Sequence, residues 1–382
     1  MVVVGGGIAG VSAAVAAARH GASVCLVERT ATLGGLATAG LIAIYLPLCD
    51  GCGTQLAGGI AEELLKLSLK LGPGHVPEPW TRKASAAERA RERYQTPFNP
   101  AGFALALDKW VLEAGVTLRF QSLVTDVSTR GDRIEALIVE EAAGAGALQA
   151  DSVIDASGDA TVAARCGLTT AEEDNWLSAW YYLARAATDD AESFVISLRI
   201  LGAYADGRNR PRGTGKYSGI GPEDVTRFII DSRRVIRNEL ASEQKHLGRE
   251  RAFPMSIPSL PQFRTTRRLV GRHELEGEDD GRGFPDAVGM MGDWRRPGPV
   301  YQIPFRTLLA TRMANLLVAG RCVSATASGL EIVRAIPACA VTGQAAGTAA
   351  ALAARCKTDP VDLPIDGLQD ALALDGVILP GR

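Results

Sequence analysis

The pattern of apolar and polar positions is clearest near the start of the chain. An apolar triplet, Val2–Val4, is followed by a glycine-rich turn, an alanine-rich run to His20, and a second apolar run that ends at the acidic Glu28. A short apolar run bounded by glycine predicts a buried strand, and a longer alanine-rich run predicts a helix. This stretch therefore predicts strand, turn, helix and strand in succession.

The same pattern analysis extends along the rest of the chain. Helical spacing or helix-forming composition predicts helices over 58–67, 82–93, 105–115, 223–248 and 334–347. Short apolar runs predict strands at 116–120, 124–127, 133–139, 148–154 and 315–318, with Gly144–Gly146 as a hairpin loop. We therefore expect an α/β fold with a parallel sheet and a β-meander.

Three spaced glycines, Gly5, Gly7 and Gly10, lie between the first strand and the first helix. In this context the first permits a tight turn, the second lets the backbone approach a pyrophosphate, and the third lets the helix pack on the sheet. The helix N-terminus favours phosphate, and Glu28 is placed to hold ribose hydroxyls. The stretch predicts a Rossmann-like dinucleotide site, the alternative being a glycine-rich turn without a ligand.

A second glycine pair, Gly34–Gly35, follows shortly after Glu28. A simple NAD domain does not require it, whereas the chain is similar here to glutathione-reductase-like flavoproteins, in which this position wraps the FAD. The run 153–161 then predicts a strand, a glycine–aspartate turn and a helix, the form of a second FAD motif. Gly144–Gly146 lacks the strand–turn–helix context of a further nucleotide site, so we do not expect a built-in NADPH domain.

Composition and charge mainly exclude functions. A net charge of −2 provides no basic field for nucleic acid. Neither 33–48 nor 337–354 is long and apolar enough to span a membrane, and no secretory signal pattern precedes the first strand. We expect a cytoplasmic location and a small-molecule substrate, with no nucleic-acid or membrane partner; a homo-oligomer or a redox partner protein stays open.

The seven cysteines have irregular spacing and do not resemble a disulfide framework. Cys49 and Cys52 form a C-x-x-C pair, which can be a redox disulfide or half of a zinc site. No second pair and no histidine cluster accompany it, so we expect no metal site. A loop lying against the flavin is the interpretation that we favour.

Eight stretches carry a resemblance to a known family: GGGIAG at 5–10, GGLAT at 34–38, GGIAEEL at 58–64, DASGDAT at 155–161, RRLVGRHEL at 267–275, YQIPFR at 301–306, NLLVAGRCVSAT at 315–326 and RAIPACAVTGQAAGTAAALA at 334–353. Together they resemble the FAD-dependent oxidoreductase family of bacterial enzymes, which is related in its flavin domain to heterodisulfide-reductase flavin subunits. The resemblance implies FAD bound through Gly5, Gly7, Gly10, Glu28, Gly34, Gly35, Gly158, Asp159, Gly320, Arg321 and the helix at Pro337. To these we add the neighbours Ile8, Ala9, Arg29, Leu36, Ala156, Ala338 and Cys339, and the backbone of Val124 as a candidate adenine contact.

The predicted helix at Pro337 has proline in its first turn, where a missing N–H costs little. Aimed at the pyrimidine edge of the flavin, its N-terminus would stabilise negative charge at N1/O2, and we expect its glycines and alanines to let the ring approach. The chain departs from the family where a histidine commonly follows Ser-Ala-Thr, since Ala327 and Ser328 stand there. The clustered cysteines of the iron–sulfur relatives are absent too, so we expect no cluster.

These motifs predict a discontinuous FAD domain and an inserted α+β substrate domain. The expected bounds are 1–72, 104–170 and 301–382 for the FAD domain, 73–103 for an excursion, and 171–300 for the substrate domain. The expected reaction is hydride transfer between flavin N5 and a small organic substrate, with an electron-transfer subunit and a non-catalytic FAD module as alternatives.

Three residues are candidates for chemistry beside the flavin. Arg334 would stabilise charge, and Arg268 and His273 would contact substrate, His273 as a proton-transfer group. Structural ion pairing of the arginines, and a structural role for a histidine next to a glutamate, are the alternatives.

Overall fold

The computed structural model describes residues 1–187, 193–204 and 207–381. In chain order the strands are β1 (Val2–Val4), β2 (Cys25–Glu28), β3 (Ile44–Tyr45), β4 (Thr96–Pro97), β5 (Thr117–Phe120), β6 (Leu123–Arg130), β7 (Arg133–Glu141), β8 (Gly144–Gln149), β9 (Val153–Asp155), β10 (Thr170–Glu172), β11 (Asn175–Trp176), β12 (Ser178–Ala186), β13 (Phe194–Gly202), β14 (Lys216–Tyr217), β15 (Ala252–Ser256), β16 (Arg267–Leu269), β17 (Ala287–Gly292), β18 (Val300–Pro304) and β19 (Leu316–Val318). The α-helices are α1 (Ile8–Arg19), α2 (Ile60–Ser68), α3 (Ala86–Arg91), α4 (Pro100–Glu113), α5 (Thr161–Arg165), α6 (Pro222–Leu247), α7 (Ala327–Val333), α8 (Ile336–Cys356) and α9 (Ile365–Leu374).

The chain divides into two compact units. The first consists of Met1–Thr38, Ala43–Ala171 and Arg267–Arg382, and the second of Ala39–Ile42 and Glu172–Thr266. Segments 73–103 and 267–300, which we expected outside the FAD domain, therefore belong to the first unit. The assignment of one unit to FAD and the other to substrate stays a prediction.

A parallel sheet of five strands forms the centre of the first unit, in the order β19-β9-β1-β2-β5. Val3 of β1 lies between Leu26 of β2 and Ile154 of β9. All residues of β1, β9 and β19 are buried, which explains why these strands are continuous apolar runs rather than alternating ones. The predicted α/β fold with a parallel sheet is confirmed.

Helices α1 and α8 pack together through small residues. A Cβ added to Gly343 would overlap the carbonyl oxygen of Ala9, and one on Gly347 would overlap that of Ala13. We expected the glycines of this helix to let the flavin ring approach, and for these two that expectation is wrong. Their faces are occupied by the backbone of α1, which a larger side chain would push away.

The meander of the first unit is antiparallel, in the order β6-β7-β8. The predicted hairpin loop at Gly144–Gly146 is wrong, because these residues begin β8 and pair with 139–141 of β7. Strand β8 is largely exposed on both faces, so it lacks the apolar side chains that make a strand recognisable. The predicted strand 148–154 is likewise divided between β8 and β9, which belong to different sheets.

The predicted helix over 82–93 is much shorter in the structure. Helix α3 covers Ala86–Arg91 and begins after Ser85, whose side chain accepts the N–H of Glu88 while Glu88 accepts the N–H of Ser85. This capping box fixes the start of the helix at Ala86, four residues later than the charge pattern suggests.

The second unit is built around a three-stranded antiparallel sheet in the order β13-β12-β15 and the long helix α6. Its core contains Tyr181 and Leu183 of β12 together with Phe228 and Ile236 of α6. The side chain of Glu239 on α6 accepts a hydrogen bond from Tyr181 and binds Arg199 of β13. Helix α6 thus covers the face of the sheet to which the odd-numbered side chains of β12 and β13 point.

Candidate functional site

The turn between β1 and α1 brings the three spaced glycines into different surroundings. Gly5 has a φ of +99°, and a Cβ there would lie 2.5 Å from the carbonyl oxygen of Ala156. A Cβ on Gly10 would overlap the carbonyl oxygen of Gly5, whereas one on Gly7 would meet nothing within 4 Å. Close backbone contacts therefore require the first and third glycines, and the second borders the open space that a pyrophosphate needs.

Helix α1 begins at Ile8, directly after Gly7, and no side chain caps its N-terminus. The side chains of Ile8 and Ala9 are buried. An anion at this end would therefore be held by backbone N–H groups and by the positive end of the helix dipole. The N-terminus of α1 fits the diphosphate of a dinucleotide.

The second glycine pair lies against this turn. Gly34 has a φ of +94° and donates its N–H to the carbonyl oxygen of Gly6 at 2.8 Å. A Cβ on Gly35 would stand 3.2 Å from the Cα of Gly7. Leu36 follows in a short 3-10 turn and is half-buried. The pair therefore brings a second backbone segment to the open side of Gly7.

Glu28 is a buried carboxylate at the end of β2. Its Oε2 accepts the N–H of Gly6 at 2.6 Å, and its Oε1 accepts the N–H of Thr30 at 2.7 Å. A carboxylate has about four acceptor sites, so these two bonds leave capacity for ribose hydroxyls. Glu28 also fixes the glycine turn relative to β2.

A cleft of about 370 Å³, open to solvent, lies at the carboxyl ends of β1 and β2. Four of the predicted cofactor residues line it, namely Gly5, Glu28, Arg29 and Val124, together with Ser157 and Thr161. Ligands of open parallel sheets bind at this edge. The cleft therefore has the position expected for the adenosine part of the cofactor.

A network of buried groups shapes the turn after β9. Asp155 is fully buried; its Oδ1 accepts hydrogen bonds from Ser157, and its Oδ2 accepts the N–H of Ala163 at 3.0 Å. Burial raises the pKa of Asp155 despite these hydrogen bonds. The Sγ of Cys322 accepts the N–H groups of Gly158 at 3.2 Å and Ala160 at 3.3 Å. Burial raises the pKa of Cys322 well above its ordinary value, so the sulfur acts here as a neutral acceptor.

We had singled out Ala156, Gly158 and Asp159 in this turn but not Asp155 or Cys322. Ala156 joins the turn to β1 by donating its N–H to Val4. An acidic residue closing an otherwise apolar strand was a sequence signal for Asp155. The contact of Cys322 with residues more than 160 positions away carried no local signal.

Arginine side chains converge on Asp159. Its carboxylate lies 3.4 Å from Arg29 and 3.9 Å from Arg321, and its carbonyl oxygen accepts a hydrogen bond from Nε of Arg267 at 3.0 Å. Asp159 therefore gathers three guanidinium groups beside the glycine turns, and guanidinium groups bind phosphate oxygens well.

The start of α8 lies next to the Gly320 turn. Gly320 has a φ of +69° and donates its N–H to Oγ1 of Thr342 at 3.0 Å. A Cβ added at Gly320 would lie 2.7 Å from the side chain of Ala9. Pro337 lies in the first turn of α8 as predicted, with Ala338 buried beside it. The Sγ of Cys339 is 3.5 Å from the carbonyl oxygen of Arg334, and burial raises the pKa of this thiol to about 11. The region thus joins the N-termini of α1 and α8.

The three candidates for chemistry have different surroundings. Arg334 forms a two-pronged ion pair with Glu331, at 3.1 and 2.6 Å, and lies over the ring of Trp294. Arg268 is buried and donates to the carbonyl oxygen of Ala325. The His273 ring packs edge-on against Phe284, and its buried Nε2 has no hydrogen-bond partner among the residues that the structure describes. The burial of Arg268 and its hydrogen bond to Ala325 support a structural role for this residue. The catalytic roles of Arg334, Arg268 and His273 stay predictions.

Cys49 and Cys52 of the C-x-x-C pair do not form a disulfide in the structure. Cys49 is buried and accepts the N–H of Tyr94 at 3.4 Å, whereas Cys52 is exposed, and both thiols are free. Within the described residues no cluster of three or more His, Cys, Asp or Glu side chains could hold a metal ion. We expected segment 337–354 to be too short and too weakly apolar to span a membrane, and by length and composition that expectation is wrong, because α8 passes both criteria. Its most apolar window is, however, completely buried inside the protein.

Solved structures offer only distant likenesses. CabE, an aromatic hydroxylase from angucycline biosynthesis, is 15% identical with a TM-score of 0.46; the match covers 97% of this chain and 64% of that one. p-Nitrophenol 4-monooxygenase PnpA from Pseudomonas putida is 13% identical (TM-score 0.46; 97% and 82% covered). A geranylgeranyl bacteriochlorophyll reductase-like protein from Thermoplasma acidophilum is 14% identical (TM-score 0.45; 98% and 90% covered). The chain thus spans less than two thirds of the length of CabE, and a search of curated proteins gave no match.

A family comparison covers nearly the whole chain. The sequence model described as FAD dependent oxidoreductase matches residues 1–179 and 207–372. These segments include the glycine turn, the Gly34–Gly35 pair, the turn after β9 and the start of α8. The match confirms FAD as the cofactor, and it agrees with the open face at Gly7 and the cleft beside Glu28. The chain belongs to the FAD-dependent oxidoreductase family.

Proposed function

We propose that this chain oxidises or reduces a small organic molecule with FAD held along the carboxyl edge of the parallel sheet. The observation that carries the proposal is the turn at Gly5–Gly10, where open space at Gly7 meets an uncapped helix N-terminus and a buried Glu28. The chemistry that bound FAD supplies is hydride transfer at its N5 atom.

Each part of the site would bind one part of the cofactor. Backbone N–H groups from Gly7 to Gly10 would hold the diphosphate, and Glu28 the ribose hydroxyls. Arg29 and the backbone of Val124 would border the adenine, because both line the cleft beside Glu28. The remaining contacts fall to Gly34, Gly35, Leu36, Ala156, Gly158, Asp159, Gly320 and Arg321.

The start of α8 would bind the reacting end of the cofactor. Pro337, Ala338 and Cys339 lie in its first turns, where the helix dipole favours developing negative charge. Arg334 precedes this helix, and its guanidinium is held by Glu331 in a fixed orientation. A held guanidinium can stabilise charge without first reorganising.

His273 would hold or move the proton of the substrate, and Arg268 would contact its polar group. Support for His273 comes from its buried Nε2, for which the described part of the chain provides no hydrogen-bond partner. Buried polar atoms normally have a partner, so a substrate group or a water is expected there. The proposed setting is a cytoplasmic enzyme acting without a nucleic-acid or membrane partner.

Anaerobic reduction of the bound flavin tests this proposal. The purified protein is mixed with a panel of hydroxy acids, amines and sugars, and flavin bleaching is followed by visible absorption. We expect one compound to bleach the flavin. Arg334→Ala should slow bleaching by about a hundredfold to a thousandfold, the range for removing one charge-stabilising group. His273→Ala should slow it by about a hundredfold to ten-thousandfold, the range for removing one proton-transfer group.

Arg130→Ala is the matched control, since Arg130 is an exposed arginine that pairs with Glu135 at the tip of the meander. It should bleach at the wild-type rate. If dithionite bleaches the flavin and a protein electron carrier does so rapidly while no small molecule does, the chain is an electron-transfer subunit. If the panel is active and neither variant is slower, the catalytic assignments are wrong.

A further inference from the structure

The hairpin formed by β12 and β13 leaves one long sheet edge open. Strand β13 pairs with β12 along its whole length, from Phe194 opposite Ala186 to Gly202 opposite Ser178. The sheet order places β13 at one edge and β15 at the other. In the part of the chain that the structure describes, no strand pairs with the outer side of β13.

The backbone groups that reach this edge can be identified by position. Ala187 donates its N–H to Ser193, and Ala203 donates to Leu177, both at 2.8 Å. Residues 193 and 203 therefore direct their backbone groups toward the β12 side. Because this direction alternates in an antiparallel pair, the even-numbered residues of β13 direct their N–H and C=O groups outward.

The edge lacks the features that normally prevent strand pairing. Proline, charge and short length protect sheet edges, and β15 has only five residues, including Pro254. Strand β13 has nine residues and no proline, and its one charged side chain, Arg199, is bound by Glu239 and Glu243 of α6. Ile196 and Ile200 are 55% and 54% exposed. A long, apolar and open edge of this kind pairs readily with another strand.

We propose that the outer edge of β13 pairs antiparallel with the same strand of a second copy of this chain. A two-fold axis makes a strand its own antiparallel partner, and the most residues pair when the axis passes beside the midpoint of the strand. Leu198 is the midpoint of β13, and its backbone N–H and C=O groups point outward, so it would exchange two hydrogen bonds with its counterpart. An axis there pairs all nine residues, whereas an axis beside any other residue leaves one end of the strand unpaired.

The side chains are self-complementary in this register. Ile196 stands opposite Ile200 of the second copy, Leu198 opposite its own counterpart, and Arg199 opposite Ser197. Apolar residues directly opposite each other stabilise an antiparallel pair, and like charges are kept apart. All of β13 and most of β12 lie within segment 180–206, between the two parts of the chain that match the family. The pairing is thus independent of the proposed function.

Light scattering on the size-exclusion peak of the full chain tests the pairing. We expect twice the chain mass of 40.2 kDa. Leu198→Lys and Leu198→Asp each place like charges across the axis, so each should weaken the dimer by tenfold or more, and an equimolar mixture of the two should restore the dimer mass. Ile230→Lys, at a 52% exposed isoleucine on α6, is the matched control and should remain dimeric.

A wild-type mass of 40.2 kDa at the highest soluble concentration would overturn the proposal, and so would single variants that keep the dimer mass. If the charged variants do not fold, as judged by their flavin content, Leu198→Cys provides the test. Across the axis the two Cα atoms would be at disulfide distance, so oxidation should link the copies beyond the wild-type level. Ser197→Cys faces Arg199 of the second copy and should not link. Absence of the Leu198→Cys link would contradict the register.

Discussion

Gly5, Gly7 and Gly10 share one motif but face three different surroundings. Gly5 and Gly10 are held against backbone atoms, whereas Gly7 borders open space. Substitution at these positions should therefore separate folding from cofactor binding. This separation is the most direct consequence of the structure at the scale of single residues.

Gly7→Val should leave the apoprotein about as stable as the wild type, because its Cβ meets no atom within 4 Å and its φ of −67° suits any residue. It should lower FAD affinity by tenfold or more, since the side chain would occupy the space proposed for the diphosphate. Gly10→Ala should instead destabilise the apoprotein by about 1–3 kcal/mol through overpacking. Urea unfolding and FAD titration measure the two effects. Equal losses of stability in both variants would contradict the assignment.

Cys322→Ala should cost about 1–3 kcal/mol of unfolding free energy, because the N–H groups of Gly158 and Ala160 would lose their acceptor inside the protein. Cys322→Ser keeps an acceptor and should recover part of that loss. Urea unfolding of the three proteins measures this, with FAD affinity as the second readout. A Cys322→Ala variant as stable as the wild type would show that the sulfur does not hold the turn.

Asp293 should contribute to the acid sensitivity of the fold. Burial by itself raises the pKa of Asp293, but hydrogen bonds from Arg295 outweigh it and hold the pKa below its ordinary value of 3.8. Its ion pairs therefore stabilise the protein above that value, and the contribution is lost as the pH falls through the lower folded-state pKa. Unfolding free energy measured from about pH 6 to pH 3 should fall less steeply for Asp293→Asn than for the wild type. Parallel profiles would contradict this.

At the scale of elements, the contact of α1 with α8 positions both helix N-termini that the site uses. The contact depends on Gly343 and Gly347, whose missing side chains admit the backbone of α1. A helix glycine is normally a weak point, so its presence here reflects close packing rather than flexibility.

Gly347→Ala should destabilise the protein by about 1–3 kcal/mol, because the added methyl group would overlap the carbonyl oxygen of Ala13. Gly367→Ala in α9 is the matched control, because a Cβ added there would meet no neighbouring atom within 4 Å. The higher helix propensity of alanine should therefore stabilise the protein by about 0.5–1 kcal/mol. Thermal and urea unfolding decide the signs. Two variants that change stability in the same direction would argue against a tight contact of α1 with α8.

The elements that the sequence predicted well are those whose residues serve one local purpose. The glycine turn, the buried strands β1 and β9 and the start of α8 were recognisable because glycine spacing, apolar runs and proline position each have a local cause. Strand β8 was missed because it is exposed on both faces and begins with glycine. The packing of Gly343 on α1 and the bonds of Cys322 were not predictable, because both join residues far apart in the chain.

In the whole molecule, segments distant in sequence meet within the first unit and form the proposed cofactor site. We propose that the turn after β1, the end of β2, the turn after β9 and the start of α8 all contribute to it. The second unit contributes the open edge of β13, which has a separate consequence for assembly. We therefore expect that cofactor binding and self-association can be removed independently.

The Gly5–Gly10 turn is the place where we propose that this chain binds FAD. The most direct test is the visible absorption spectrum of the purified protein, recorded before and after acid precipitation, for the wild type and for Gly7→Val. We predict a yellow wild-type protein that releases FAD into the supernatant, and a folded but colourless Gly7→Val protein. A colourless wild type that does not take up added FAD, or a Gly7→Val protein with full flavin content, would contradict the account.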